Sequence, residues 1–364
     1  MQNKIKINRT EESIALIKAL ASRDRNEAYE AQLALAAFVG PLVSEFIAKA
    51  RTLSSLFTTL EYDAFDSPSI PVDLFYDITS EKEVQIWSQT TADGLATNFM
   101  QPVESDMKFH TNELNSAWHF DNKNVRAGRA DVVGKTLTKI MQAIMILQDR
   151  YSAQLILGTI SDQAATNVVT AVATGNIVQP EDINSLQTLS KRLNSAWNGG
   201  TPANGRGGPT DLVLSPEVME QIRAMAYNPV NNLGANGTAG AAASGVISAP
   251  DSLRDQVWGG GGIASFWGLG LMEILELGPN QVYTDIYTTI NGVAAAGNDL
   301  VIGVDRNKEA LLRAVSLDED TGAQFTIEPD DQFASRLKKT GFIGSVEEGR
   351  LVIDSTALTA ILVT

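Results

Sequence analysis

The sequence predicts an α+β protein. Three observations carry this: a long helical periodicity in the middle of the chain, short strand-like runs grouped before and after it, and no regular alternation of strand and helix. Composition agrees with a folded chain. Its 364 residues are 44% hydrophobic and 20% charged, enough for two domains or one large one and far from the signature of disorder.

From the N-terminus, EAYEAQLALAAFV (27–39) places Leu33, Ala37 and their neighbours at helical spacing. Pro41, just after Gly40, is expected to interrupt this helix and open a second one through Phe46, Ile47 and Leu53. Met1–Arg51 holds eight Lys/Arg and six Asp/Glu, a charge of +2, so the remainder carries −17 against a total of −15. This charge contrast suggests an arm apart from the main body.

Between Tyr62 and Asn124 the texture turns to short alternating runs, VDLFYDI, EVQIW and MKFHT, separated by the turn-rich TADGLATNFMQPVES. Thr79–Phe109 reads as an excursion whose strands pair mainly with each other. Its apolar residues Val84, Ile86, Trp87, Phe99 and Met100 then need a surface to cover.

The strongest element follows. Val133, Leu137, Ile140, Ile144, Leu147, Tyr151 and Leu155 recur at steps of three and four, predicting one apolar face of a helix over about 129–157, ended by Gly158. Two more helices are expected at 181–197 and 215–227, the latter capped by Ser215 with Pro216 in its first turn. Gly/Pro-rich and small-residue stretches at 198–210 and 231–245 read as surface loops. Most of the rest reads as strand: DLVLS, FWGLGLMEIL, NQVYTDIYTTI, NDLVIGVD, EALLRAVSL, QFTIEP, KKTGFIGSV and RLVIDSTALTAILV.

Catalytic patterns fail one by one. Cysteine is absent, which removes disulfides, thiolate metal sites and cysteine nucleophiles and points to folding in the cytoplasm. GRADVVGKT (128–136) has five residues between its glycine and GKT where a phosphate loop has four, and Lys135 and Thr136 fall inside the helical periodicity. Gly259–Gly262 do not complete a dinucleotide fingerprint. His110 and His119 are the only histidines and lack zinc spacing. The acidic groups at Asp318–Asp320 and Glu328–Asp331 do not match a calcium loop and read as solvated turns. No catalytic residue, cofactor or metal is expected. A net charge of −15 argues against gripping nucleic acid, and no apolar run reaches signal-peptide or membrane-spanning length.

The order of elements resembles the major capsid proteins of tailed double-stranded DNA phages of the Hong Kong 97 type, over roughly residues 30–364. SIPVDLFYDI, EVQIW, FMQPV and MKFHTNEL resemble that family's extended loop, and ADVVGKTLTKIMQAIMILQDRYSAQLILG its spine helix. DLVLSPEVMEQIRAM resembles the strand and helix of the axial domain. LVIGVDRNKEALLRAV, FTIEPDD and LKKTGFIGSVEEGRLVIDSTALTAILV resemble its end and the return strands. The resemblance implies a helical arm at 1–60, an extended loop and its base at 61–124, a peripheral domain with the spine helix at 125–175, an axial domain at 176–310 and return strands at 311–364. It further implies a shell subunit of a virion, forming hexamers and pentamers of an icosahedral head around DNA and assembled in the host cytoplasm. A separate scaffolding protein, a portal and decoration proteins are its expected partners, with no membrane. Lys82 and Lys108 lie in the loop region, but no matching crosslink partners are found, so no crosslink residues are assigned. An encapsulin-type nanocompartment shell is the alternative within the fold, and a nucleotide-binding enzyme using GRADVVGKT the alternative outside it.

Overall fold

The computed structural model describes residues 11–22, 24–48, 52–63, 67–71, 106–127, 130–172, 175–197, 208–227, 265–283, 286, 298–317, 324–330 and 339–363. In chain order the helices α1 (Glu11–Ala19) and α2 (Arg25–Ala48) lead into strands β1 (Thr58–Asp63), β2 (Ser69–Pro71), β3 (Asp106–Lys108) and β4 (Thr111–Asp121). A short helix Asn122–Arg126 and the long helix Ala130–Asp162 precede β5 (Val168–Thr170), helix Pro180–Trp197, β6 (Asp211–Leu214) and helix Pro216–Tyr227. The chain then runs through β7 (Ser265–Phe266), β8 (Leu269–Glu273), β9 (Asp299–Val304), β10 (Leu311–Leu317), β11 (Thr326–Asp330), β12 (Lys339–Val352) and β13 (Leu358–Val363). Two compact units result, each stitched from three stretches of sequence: 1–72, 105–152 and 312–351 in one, and 73–104, 153–311 and 352–364 in the other.

The first unit is built around β12, which pairs with β10, β11 and β4, while β1 pairs parallel to β10. Antiparallel pairing of β4 with β12 runs from Asp121↔Lys339 to Thr111↔Gly349. Alternation along β4 turns Leu114, Trp118 and Phe120 inward and leaves Glu113, Asn115 and His119 exposed. Trp118 stacks on Phe342 at 6.1 Å, and this pair meets Ile17, Leu35, Val39, Val133, Leu137, Met141 and Ile144 in one core. Gly344 is required there, because a Cβ would lie 2.4 Å from Phe325 Cζ and 2.8 Å from the Trp118 ring.

Four expectations change in this unit. Helix α2 is continuous through Gly40 and Pro41 instead of breaking: Ala31, Leu35, Val39 and Val43 hold one buried stripe on both sides of the proline, offsetting a cost of about 3 kcal/mol. The buried face of α2 is Ala31, Leu35, Ala36 and Val39, whereas Leu33 and Ala37 are exposed. Both α1 and α2 belong to this core and do not stand apart from it. Glu328 and Asp330 lie in β11 and not in a solvated turn, since backbone pairing with Gly341–Ser345 of β12 outweighs their weak strand preference.

The long helix has 33 residues, roughly 50 Å at 1.5 Å per residue, and passes through Gly158 to Asp162. Burial of Ile156, Leu157 and Ile160 around that glycine exceeds its helix penalty of about 1 kcal/mol.

The second unit centres on a six-stranded sheet in the order β5-β13-β9-β6-β8-β7. All six residues of β9 are buried, as a central strand covered on both faces requires. Helices Pro180–Trp197 and Pro216–Tyr227 place Ile183, Leu186, Val218, Met219 and Ile222 in its core beside Leu212, Leu214, Val301, Ile361 and Val363. The sheet is mixed: β6 runs parallel to β8 and β13 parallel to β5, while β9 is antiparallel to β6 and β13. Gln281–Tyr283, expected in a strand, forms a turn whose Tyr283 N–H donates to Glu276 O at 3.0 Å.

Candidate assembly surfaces and a buried ionic cluster

Beneath the middle of the long helix, within the first unit, four charges are buried together. Arg313 of β10 donates through Nη2 and Nε to Glu348 Oε2 at 2.7 and 2.9 Å. Arg350 Nη1 donates to Glu348 Oε1 at 2.6 Å, and Arg350 Nη2 to Ser54 Oγ at 3.2 Å. From the helix, Gln148 Nε2 donates to Glu348 Oε2 at 3.1 Å, while Asp149 Oδ1 accepts the Leu53 N–H at 2.6 Å. Two arginines and two carboxylates balance. Burial pushes the Arg350 pKa down from its ordinary value, with Glu348 opposing the shift.

This cluster explains where the expected helix face departs from the real one. Val133, Leu137 and Ile144 are buried and Ile140 is half-buried against them, but Leu147 and Tyr151 are each 37% exposed and Leu155 is half-buried. The buried positions continue instead as Met141, Gln148, Ser152 and Ile156. Polar side chains face inward here because each has a partner in the cluster: Ser152 Oγ lies 2.9 Å from Ser54 Oγ and donates to Gln148 O. An apolar-only search of the sequence misses them. Arg313 within the apolar run LLRAV is the signal that could have found the cluster.

Two helix faces of the first unit expose apolar side chains. Tyr29, Leu33 and Phe38 project from α2, and Ile146, Leu147 and Tyr151 from the long helix. A helix apolar on its outer as well as its inner face is the pattern of one that is covered in an assembly. The candidate clasp residues Val84, Ile86, Trp87, Phe99 and Met100 lie outside the described residues. Phe109, at the end of the expected excursion, is buried, and its N–H donates to Pro68 O at 3.0 Å, so it belongs to the subunit's own body.

In the second unit, Ser215 accepts the Val218 N–H at 3.2 Å, the expected helix cap, and donates to Asp299. Burial raises the Asp299 pKa, opposed by the Ser215 and Leu300 donors. The Ser215–Asp299 pair anchors the helix Pro216–Tyr227 on β9. Trp267 turns the β7–β8 hairpin with φ 52°, its ring stacked on Phe266 at 4.8 Å. Among the described residues no cluster of three or more His, Cys, Asp or Glu could hold a metal ion, and no helix is long and apolar enough to cross a membrane. Lys135 and Thr136 lie within the long helix, where their backbone N–H groups serve helical pairing and do not cradle a phosphate.

No protein-family model matches the chain, and no curated protein matches it. Solved structures do. A chain from Microbacterium phage Oxtober96 is similar at TM-score 0.50 and 12% identity, over 87% of this chain and 92% of that one. A phage-related protein from Bordetella bronchiseptica RB50 has TM-score 0.47 and 11% identity, over 88% and 95% of the two chains. The capsid structure of cyanophage P-SCSP1u has TM-score 0.45 and 13% identity, over 87% and 89%. The α+β architecture is thus shared with the Microbacterium phage chain. It is the phage major capsid protein fold.

Proposed function

We propose that this chain is a structural shell subunit that assembles through copies of itself into hexamers and pentamers of an icosahedral phage head enclosing double-stranded DNA. The observation that carries this reading is the fold similarity to the Microbacterium phage chain, extending over 87% of this chain. Two exposed apolar helix faces accord with it. Head-to-tail contacts between identical subunits close into rings, and rings of five and six tile a shell in which many modest interfaces add up. An acidic chain, at −15, encloses a packaged polyanion without binding it tightly. A separate scaffolding protein, a portal and decoration proteins complete the proposed particle.

Within this reading Val84, Ile86, Trp87, Phe99 and Met100 clasp a neighbouring subunit. Negative-stain microscopy of the purified chain, alone and coexpressed with its neighbouring phage genes, is expected to show closed shells of uniform diameter. Particles that hold a protein cargo and no nucleic acid when isolated from the native source would establish the nanocompartment alternative. A monodisperse monomer under every condition would refute the shell reading.

A further inference from the structure

We propose that the outer face of the long helix, from Lys135 to Tyr151, docks an acidic amphipathic helix of a second protein that co-assembles with this chain; the proposal rests on the shell reading above. The helix Ala130–Asp162 turns Val133, Leu137, Met141 and Ile144 into the first unit's core. Its opposite side exposes Lys135, Lys139, Ala143, Ile146 and Arg150 along one line, at steps of three and four. Leu147 and Tyr151 flank that line. Ile146, 65% exposed, is the most open large apolar side chain of the helix and lies mostly uncovered by its own subunit.

Charge sets this face apart. From Gly134 to Gln154 the only acidic residue is Asp149, which is buried and accepts the Leu53 N–H at 2.6 Å. The exposed line thus carries three cations and no carboxylate, in a chain of net charge −15. Lys135 and Arg150 stand about 22 Å apart along the axis, at about 1.5 Å per residue. A partner helix of similar length fills this pattern, its apolar stripe on Ile146 and Leu147 and its carboxylates toward the two lysines and Arg150. Ala143, small and one turn before Ile146, lets the partner's backbone come close.

Nucleic acid fits this face less well. Three cations neutralise few phosphates, and Ile146, Leu147 and Tyr151 gain nothing against phosphate oxygens. A second copy fits less well too. The chain's own acidic and apolar helix face, with Glu27, Glu30, Leu33 and Phe38, belongs to α2. A small apolar cavity lined by Leu35, Val39, Val133, Leu137, Trp118 and Phe342 shows that α2 and the long helix lie side by side on one face of the sheet. A second copy would bring its α2 here only by turning over, helix layer against helix layer. Such a two-fold pair closes on itself, whereas a shell grows through head-to-tail contacts.

Photocrosslinking tests the occupant directly. Full-length chains with benzoylphenylalanine at Ile146 or, as a second position, at Gln142 are coexpressed with the neighbouring phage genes, irradiated and mapped by mass spectrometry. Crosslinks to an acidic amphipathic segment of another protein are expected. Lys135→Glu, Lys139→Glu and Arg150→Glu combined should lower their yield at least about tenfold, while circular dichroism and melting temperature stay unchanged because all three sites are exposed. As a defined probe, a helical peptide of about 20 residues with a leucine stripe and glutamate elsewhere should bind the purified full-length chain, and the same peptide with lysine for glutamate should not. Crosslinks to a second copy overturn the separate partner. Duplex DNA bound more tightly than the glutamate peptide, and released by the triple reversal, assigns the face to nucleic acid and overturns the proposal. Equal binding of both peptides overturns the charge match. Closed shells that give no crosslink from either position overturn the docking face and leave the shell reading intact. Charge-dependent binding of the glutamate peptide by a chain that forms no shells under any condition would do the reverse.

Discussion

Glu348 is the residue on which the first unit's buried ionic cluster turns, because Arg313, Arg350 and Gln148 all donate to it. Glu348→Gln leaves two buried guanidinium groups short of counter-charge, and a loss of about 3 to 5 kcal/mol is expected in denaturant unfolding. A loss under about 1 kcal/mol would mean that the arginines find other partners. Tyr62 offers a second test at this scale. Burial, reinforced by the charge of Glu347, pushes its phenol up to about 12. The folded chain then holds this proton between pH 10 and 12 while the unfolded chain releases it, so stability conferred by the neutral phenol is present below pH 10 and declines as pH rises toward 12. Ultraviolet titration of the wild type should show one of the seven tyrosines ionising at about 12, and Tyr62→Phe should remove that step.

For the elements, the long helix gives a contrast between its two sides. Leu137→Asp and Ile144→Asp each bury a charge in the core at a cost of several kcal/mol, and soluble folded protein should be lost. Leu147→Asp, on the exposed side, should change the melting temperature little and act instead on assembly. Equal yields of folded protein for all three would contradict the assigned faces. The excursion is tested by replacing Thr79–Glu104 with a Gly/Ser linker, leaving Asp106–Lys108 to pair with Ser69–Pro71. Circular dichroism of the shortened chain should keep the body's signal while microscopy shows monomers or small oligomers. Closed shells from this variant would remove the clasp role from Val84, Ile86, Trp87, Phe99 and Met100.

At the scale of the whole molecule, charge governs how copies meet. Subunits of net charge −15 repel one another over a distance set by the Debye length, about 10 Å at 0.1 M salt and about 3 Å at 1 M. Assembly followed by light scattering should therefore speed up several-fold between about 0.05 and 0.5 M salt. A chain carrying Lys4→Glu with Lys6→Glu, more acidic still, should need more salt than the wild type to reach the same extent. A salt-independent rate would show that apolar faces such as Ile146, Leu147 and Tyr151 dominate the encounter.

The long helix, the helices after Pro180 and Ser215, and most strands of both sheets were legible in the sequence, because apolar periodicity and capping residues are local signals. The phosphate-loop mismatch in GRADVVGKT and the lack of cysteine were legible for the same reason, being facts of order and composition. Only the tertiary structure decided which side of the long helix faces inward beyond Ile144, since Gln148 and Ser152 turn inward for partners that lie far away in sequence, at Glu348 and Ser54. It also decided that α2 continues through Pro41 and that Gly158 stays helical. In each case burial against distant elements outweighs a local preference worth a few kcal/mol. The edge of β1 belongs to the same class: a strand's end place in a sheet depends on which remote segment pairs beside it, here β10, some 250 residues downstream.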